Sequence, residues 1–273
     1  MERETSFHDV KVASLPGTAS SVAAWLGLED AAVLIAGAGG IGRAIADGFA
    51  ALGTRLAIVD RSETRVRAAT EELDLERNGG AALVADLRDA GACRSVVADA
   101  HARLGRLDVF IHAVGMNNRK PVTEFTDDEW REVVDVNLNS AFSLGQAVGE
   151  IMCPQNAGRI VFLSSVSGLL AHKHHAPYAA TKGAINQMMR VMAAEWAPYN
   201  VTVNAIGPGY IETPLTAEYL ARPGIRAGLE SLVPAGRLGT VDDVVGPAIF
   251  LASRHASFVT GHVLYVDGGR TLV

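Results

Sequence analysis

Ala32-Val33-Leu34-Ile35-Ala36-Gly37-Ala38-Gly39-Gly40-Ile41-Gly42 is the stretch on which the fold turns. Five apolar residues run directly into glycines, as a buried parallel strand does at its carboxyl end. A helical pattern follows from Ile41 to Leu52, with Gly53 as its stop. Gly37, Gly39 and Gly42 fit G-x-G-x-x-G. Glycines there let the backbone turn sharply and let a pyrophosphate come close. The helix that follows offers free N–H groups and the positive end of its dipole. The motif alone is weak, but a strand before it and a helix after it point to a dinucleotide site.

Outward from this turn, strands and helices alternate. Strand patterns occupy Arg55–Val59, Ala81–Ala85, Leu107–Ala113, Arg159–Ser164, Val201–Ile206 and His262–Val266. Helical patterns fall at Glu63–Arg77, Ala90–Leu104, Asp127–Cys153, Pro177–Ala197 and Val241–Ser253, with irregular sequence over 212–238. Thr126 and Glu129 fit a capping box for the long helix. Such alternation predicts an α/β fold: one doubly wound parallel sheet of Rossmann type, helices on both faces. No linker divides it, so one domain is expected over 31–273. Residues 1–30 show no sustained period and read as an extension, with a short helix around Ala23–Leu26.

Composition fits this picture. The 273 residues are 49% hydrophobic but only 6% aromatic, with 28 glycines, which suits tight aliphatic packing of helices on a sheet. The net charge of −6 and the lack of a basic block exclude a nucleic-acid footprint. No run of 18 apolar residues suggests a membrane span, and the start Met-Glu-Arg-Glu-Thr lacks the order of a secretory signal. Cys93 and Cys153 form no motif and read as reduced thiols of a cytoplasmic protein.

Asp60 ends the second strand, 18 positions after Gly42. A carboxylate there accepts hydrogen bonds from the adenosine ribose hydroxyls and repels a 2′-phosphate, which favours NAD over NADP. Arg61 beside it softens that preference. The alternative is a turn or capping role. Asp86, followed by Leu87, ends the third strand and faces the adenine, or else caps the helix that begins near Asp89. The glycine turn adds Gly37, Gly40, Ile41 and Gly42 as cofactor contacts.

Tyr178 and Lys182 stand i and i+4 on one helix and share a face. A phenol titrates too high for proton transfer at neutral pH. A nearby cation brings it toward the working range, so Tyr178 reads as general acid/base with Lys182 as the cation. Ser165 lies at the carboxyl end of the fifth strand and can hold the substrate oxygen. Asn137 is polar within the apolar run Val136-Asn137-Leu138, and a buried Asn needs partners. A water leading to Lys182 would be one.

On these residues, with Pro208-Gly209, Thr213 and Asp267-Gly268-Gly269, the chain from about residue 30 resembles the short-chain dehydrogenase/reductase family. The resemblance implies an Asn137-Ser165-Tyr178-Lys182 tetrad with a proton relay. It also implies nicotinamide contacts from Ile211 and Thr213, a cofactor contact at Gly115, and homotetramers or dimers through the helices near 127–152 and 177–197. Two stretches depart from the family pattern. Ala36 replaces a threonine and the glycine turn is one residue shorter. His112-Ala113-Val114-Gly115 stands where Asn-Asn-Ala-Gly is usual.

The expected activity is reversible hydride transfer between NAD and a secondary alcohol or ketone: a polyol, sugar or hydroxy acid. The alternatives are an NADPH-dependent ketoacyl-type reductase and a catalytically silent nucleotide sensor of the same fold. His172, Lys173, His174 and His175 lie between Ser165 and Tyr178. They read first as a solvated loop, with an anionic-substrate site or a metal site as the sharper options. No metal is expected.

Overall fold

The computed structural model describes residues 18–273, so most of the expected extension lies outside the described residues. Its short helix spans Ala19–Leu26 (α1). Seven strands follow: β1 Ala32–Ala36, β2 Arg55–Asp60, β3 Ala81–Val84, β4 Val109–His112, β5 Gly158–Leu163, β6 Val201–Pro208 and β7 Val263–Val266. They form one parallel sheet in the order β3-β2-β1-β4-β5-β6-β7. The order reverses between β1 and β4. The crevice beyond the carboxyl ends of those two strands is where ligands bind in open α/β sheets.

Strand side chains alternate between two cores. Leu34 of β1, Phe110 of β4 and Phe162 of β5 face α4 (Ala90–Leu104), α6 (Ser140–Gln155) and α7 (Ala176–Trp196). Val33, Ile35 and Ile111 face α2 (Gly40–Ala51) and α10 (Asp242–Ala252). Both faces are buried, which is why the strands read as continuous apolar runs rather than alternating ones.

Two helices depart from the sequence pattern. The third, α3, spans Glu63–Glu72 and stops short of Arg77. Asp74 adopts φ 50° and Leu75 folds back into the core, 1% exposed. The long helix over 127–153 is divided. Its first part is α5 (Asp127–Val134), opened by the expected capping box. A π turn over Asp135–Asn139 then leads into α6. The short helices α8 (Pro214–Leu220) and α9 (Ile225–Glu230) lie within the irregular segment. Among the described residues no helix is long and apolar enough to cross a membrane.

Candidate active site

A cleft of about 770 Å³ opens beyond β1 and β4, lined by the glycine turn at one end and by Tyr178 and Lys182 at the other. The turn is shaped by close approaches. Gly37 takes φ 103°, and a Cβ there would lie 2.9 Å from the Ala113 carbonyl of the β4 loop. Gly42 has no room at all: a Cβ would sit 2.1 Å from the Gly37 carbonyl oxygen. Gly42 therefore packs behind the wall rather than on it. Gly39 caps α2 with no side-chain hydrogen bond, so the first N–H groups of the helix are left for a ligand.

Asp60, 7% exposed, braces this turn. Its carboxylate accepts from the Ala38 N–H at 2.9 Å and from the Ser62 N–H at 2.9 Å. The capping role weighed for Asp60 belongs to Ser62, whose hydroxyl accepts from the Arg65 N–H at the start of α3. Two acceptor sites on Asp60 remain for ribose hydroxyls, since a carboxylate offers about four. Arg65, which sequence reasoning missed, reaches within 3.7 Å of Asp60 and lies beside Gly39. Its place in the first turn of α3, just past a strand end, is the signal that could have found it. Asp86 pairs with Arg88 at 3.0 Å, and both line the cleft with Arg61 and Leu87. The helix cap weighed for Asp86 is Asp89, which accepts from the Ala92 N–H at 2.6 Å.

At the other end Ser165 follows β5 in extended conformation. Its Oγ accepts from the Ser167 N–H at 3.1 Å, which leaves its own O–H for a group in the cleft that Tyr178 also lines. Lys182 Nζ lies 5.5 Å from the Tyr178 ring centroid and donates to the Leu163 carbonyl at 2.6 Å. Burial lowers the Lys182 pKa to about 8. Burial also pushes the Tyr178 phenol above its ordinary value, opposed by neighbouring Ser165 and Arg119. The net direction is upward because burial outweighs Ser165 and Arg119. Gly115, Ile41, Ile211 and Thr213 line the same cleft. A Cβ at Gly115 would lie 3.6 Å from Asn137 Oδ1 and 3.7 Å from Lys182 Nζ, so the missing side chain keeps this corner open.

Asn137 is fully buried in the π turn. Its amide donates to the Met116 carbonyl at 3.0 Å and to Thr181 Oγ1 at 3.2 Å, and its Oδ1 accepts from the Met116 N–H at 2.8 Å. These three bonds tie the β4 loop to α7 through Asn137. His112 ends β4 below it, also fully buried. Ser140 Oγ donates to the Val136 carbonyl at 2.6 Å, so it accepts from His112 Nε2–H at 3.0 Å. His112 Nδ1 has no partner among the described residues.

That arrangement has a measurable consequence. Burial, with Lys182 adding to it, lowers the His112 pKa from 6.5 to about 3. The unfolded chain takes up this proton near pH 6.5 and the folded chain does not. Stability present above pH 6.5 is therefore lost as pH falls toward 3, at up to about 1.4 kcal/mol per pH unit. Urea unfolding at pH 7 and pH 5 should show this loss in the native chain and a smaller one in His112→Asn. Equal losses in both would remove His112 as the cause.

The histidine loop is not a solvated segment throughout. His174 is exposed, but His172 and His175 line the cleft. His172 Nδ1 lies 2.8 Å from Ser167 Oγ and its Nε2 lies 3.2 Å from the Tyr210 hydroxyl. His175 accepts from Arg119 Nε at 2.9 Å. Among the described residues no group of three or more His, Cys, Asp or Glu is placed to hold a metal ion. Arg119 and Tyr210 are further cleft residues that sequence reasoning missed. Both follow strand carboxyl ends, the edge where such folds gather ligand contacts.

A family model described as enoyl-(acyl carrier protein) reductase matches residues 35–271. Gluconate 5-dehydrogenase of Gluconobacter oxydans is 36% identical over 246 residues, 90% of this chain and 96% of that protein. The chain belongs to the short-chain dehydrogenase/reductase family. Galactitol 2-dehydrogenase (L-tagatose-forming) of Cereibacter sphaeroides is 38% identical over 248 residues, covering 90% of this chain and 96% of that one. The crystal structure of a gluconate 5-dehydrogenase from Burkholderia cenocepacia in complex with NADP and tartrate is 36% identical, with a TM-score of 0.84, over 88% of this chain and 95% of that one. As a short-chain dehydrogenase/reductase, the protein is a nicotinamide-dependent oxidoreductase acting on secondary alcohols and ketones. At the stretch that departs from the family pattern, the bond from His112 to Ser140 ties the end of β4 to the start of α6.

Proposed function

We propose that the protein is a reversible NAD-linked dehydrogenase of sugar-like secondary alcohols, with residues 31–273 as its catalytic domain. The observation that carries this is Tyr178 sharing one end of the cleft with Ser165, beside buried Lys182 5.5 Å from its ring, across from a glycine turn that fits a dinucleotide. The fit rests on the Gly37 and Gly40 backbones, the open N-terminus of α2 and the corner at Gly115. Asp60 takes the adenosine ribose, Asp86 and Leu87 border the adenine, and Ile211 and Thr213 border the nicotinamide. When bound, the cofactor supplies the hydride acceptor or donor.

In oxidation Tyr178 as phenolate takes the hydroxyl proton while the carbinol C–H leaves as hydride and C–O becomes C=O. Ser165 holds the reacting oxygen. Lys182 keeps a positive charge behind the phenol and reaches toward the nicotinamide ribose. Asn137 fixes the Met116 backbone and Thr181, so it sets the floor under Lys182. The sugar-like substrate class follows the two dehydrogenases above, which act on gluconate and on galactitol. A screen of sugars, polyols, hydroxy acids and steroids with NAD and NADP tests it. Turnover of steroids alone would sink the sugar-like assignment.

The preference for NAD rests on the buried charge of Asp60. Arg61, Arg65 and Arg88 around it, and the NADP bound by the Burkholderia relative, favour the second reading, NADP. In the native chain kcat/KM should be higher for NAD. Asp60→Asn keeps acceptors for the turn but removes the charge, and should lower the NAD-to-NADP ratio at least about tenfold, the worth of one charged hydrogen bond. A native preference for NADP, with the ratio unmoved in Asp60→Asn, would overturn the assignment.

Exposed Trp130, Phe142 and Val191 on α5, α6 and α7 support a homotetramer or homodimer through those helices. Light scattering reads it, and a monomer at micromolar concentration would exclude it. The free thiols of Cys93 and Cys153 suit the cytoplasm. Fractionation of cells expressing the full chain checks that placement.

A further inference from the structure

Arg119 leaves the β4 loop and enters the substrate end of the cleft. It is held on two sides. Its Nε–H donates to His175 Nε2 at 2.9 Å, and its guanidinium carbon lies 4.1 Å from the centre of the Tyr219 ring. One edge and one face of the guanidinium are therefore fixed, a cation–π contact supplying the second. An arginine carries five N–H donors. Only the Nε–H has a protein acceptor among the described residues, so the terminal fork is unpaired.

Among the described residues no carboxylate lies within ion-pair distance of it. Arg65 and Arg88, at the adenosine end of the same cleft, each face an aspartate, at 3.7 Å and 3.0 Å. The acid nearest in sequence to Tyr219 on the cleft wall is Glu218, and it lies 3.6 Å from Arg222. Among the described residues Arg119 is held by the neutral imidazole of His175 and a phenol ring. Partial burial lowers its pKa, with Arg222 adding to the shift and Tyr219 and Tyr178 opposing it. A guanidinium held in one plane with its fork free is pre-shaped for a bidentate carboxylate.

The fork also stands close to the chemistry. His175, which it grips, packs edge-on to Tyr178 with ring centres 6.1 Å apart. A group on Arg119 and a hydroxyl at Tyr178 would thus belong to one small molecule. The geometry points to Arg119 as the residue that selects the substrate: a short hydroxy acid, or its keto acid, whose carboxylate sits on the Arg119 fork while a hydroxyl remote from that carboxylate meets Tyr178 and Ser165. This rests on the proposed dehydrogenase reading and narrows its substrate from sugar-like alcohols in general to anionic ones. His175 and Tyr219 hold the fork in its plane. The selectivity lies in charge and bidentate geometry rather than in the shape of the hydroxyl chain.

The test measures kcat/KM of the full-length enzyme for sugar acids and for the neutral polyols of the same chain length, at saturating cofactor. The native enzyme should prefer the acids. Arg119→Met should lower the acid-to-polyol ratio on the order of 100-fold, the value of two charge-assisted hydrogen bonds, mainly through KM. Arg119→Lys keeps the charge without the fork and should fall between the two. A native enzyme that turns over polyols but not acids overturns this inference and leaves the dehydrogenase reading standing. A ratio that Arg119→Met does not change does the same. Failure to oxidise or reduce any alcohol or ketone overturns both.

Discussion

Replacement of Tyr178 by Phe is expected to lower kcat by about 10³-fold or more, with substrate KM changed far less. General acid/base groups contribute about 10²–10⁴-fold, and no other group at this site can take the proton as directly. Ser165 already gives one lone pair to the Ser167 N–H, and its hydroxyl is taken up in holding the reacting oxygen. Lys182, with its pKa lowered to about 8, is turned toward the Leu163 carbonyl. The substitution removes one oxygen from a ring that stays in contact with His175, so the fold should be unaffected. Unchanged melting together with lost turnover separates chemistry from stability. A variant that keeps more than about a tenth of native kcat would exclude Tyr178 as the proton carrier.

The pH profile sharpens this expectation. Oxidation needs phenolate and reduction needs phenol. Burial holds the phenol above its ordinary value in the protein without ligand, against Ser165 and Arg119. Oxidation should therefore rise with pH through the neutral range while reduction is favoured on the acid side. Loss of the lysine charge near pH 8 removes support for phenolate and should flatten the rise of oxidation above that point. In Tyr178→Phe the opposed slopes should vanish from whatever rate survives.

Much of this arrangement is legible in the sequence because it depends on local signals. Buried parallel strands are apolar runs, so all seven begin and end within two residues of the expected positions. Tyr178 and Lys182 are tied by helical spacing, and Ser165 by a strand end. What the sequence hides is set by contacts between distant segments. The π turn at Asp135–Asn139 carries no Pro or Gly; it coincides with the Ser140 bond to Val136 and the Asn137 bonds to Met116, a residue 21 positions away. Arg119 is held in the cleft by His175, 56 positions on, and by the ring of Tyr219. The direction of the Tyr178 pKa is hidden for the same reason, since burial is a property of the assembled cleft.

Gly42→Ala is the other substitution with a large expected effect, and it tests the shortened glycine turn directly. The added Cβ would lie 2.1 Å from the Gly37 oxygen and 3.0 Å from Ala113 Cβ, well inside any tolerated contact. The first neighbour is backbone and cannot rotate away. Either α2 shifts along its axis or the turn at Gly37 opens. Both moves displace the Ala38 N–H from Asp60, which holds it at 2.9 Å. Overpacking of this kind costs about 1–3 kcal/mol of stability, so Tm should fall by several degrees. Cofactor affinity should fall further, on the order of 100-fold, because the N–H groups meant for the pyrophosphate lose their common aim. Gly246→Ala supplies the contrast. Gly246 lies inside α10 with nothing within 4 Å of the Cβ position, and alanine there should raise stability by about 0.5–1 kcal/mol. Calorimetry of the two variants with and without NAD reads both effects. If Gly42→Ala binds the cofactor as tightly as the native chain, the close contact between α2 and Gly37 is not what shapes the dinucleotide site, and the one-residue-shorter turn must hold the pyrophosphate by other atoms.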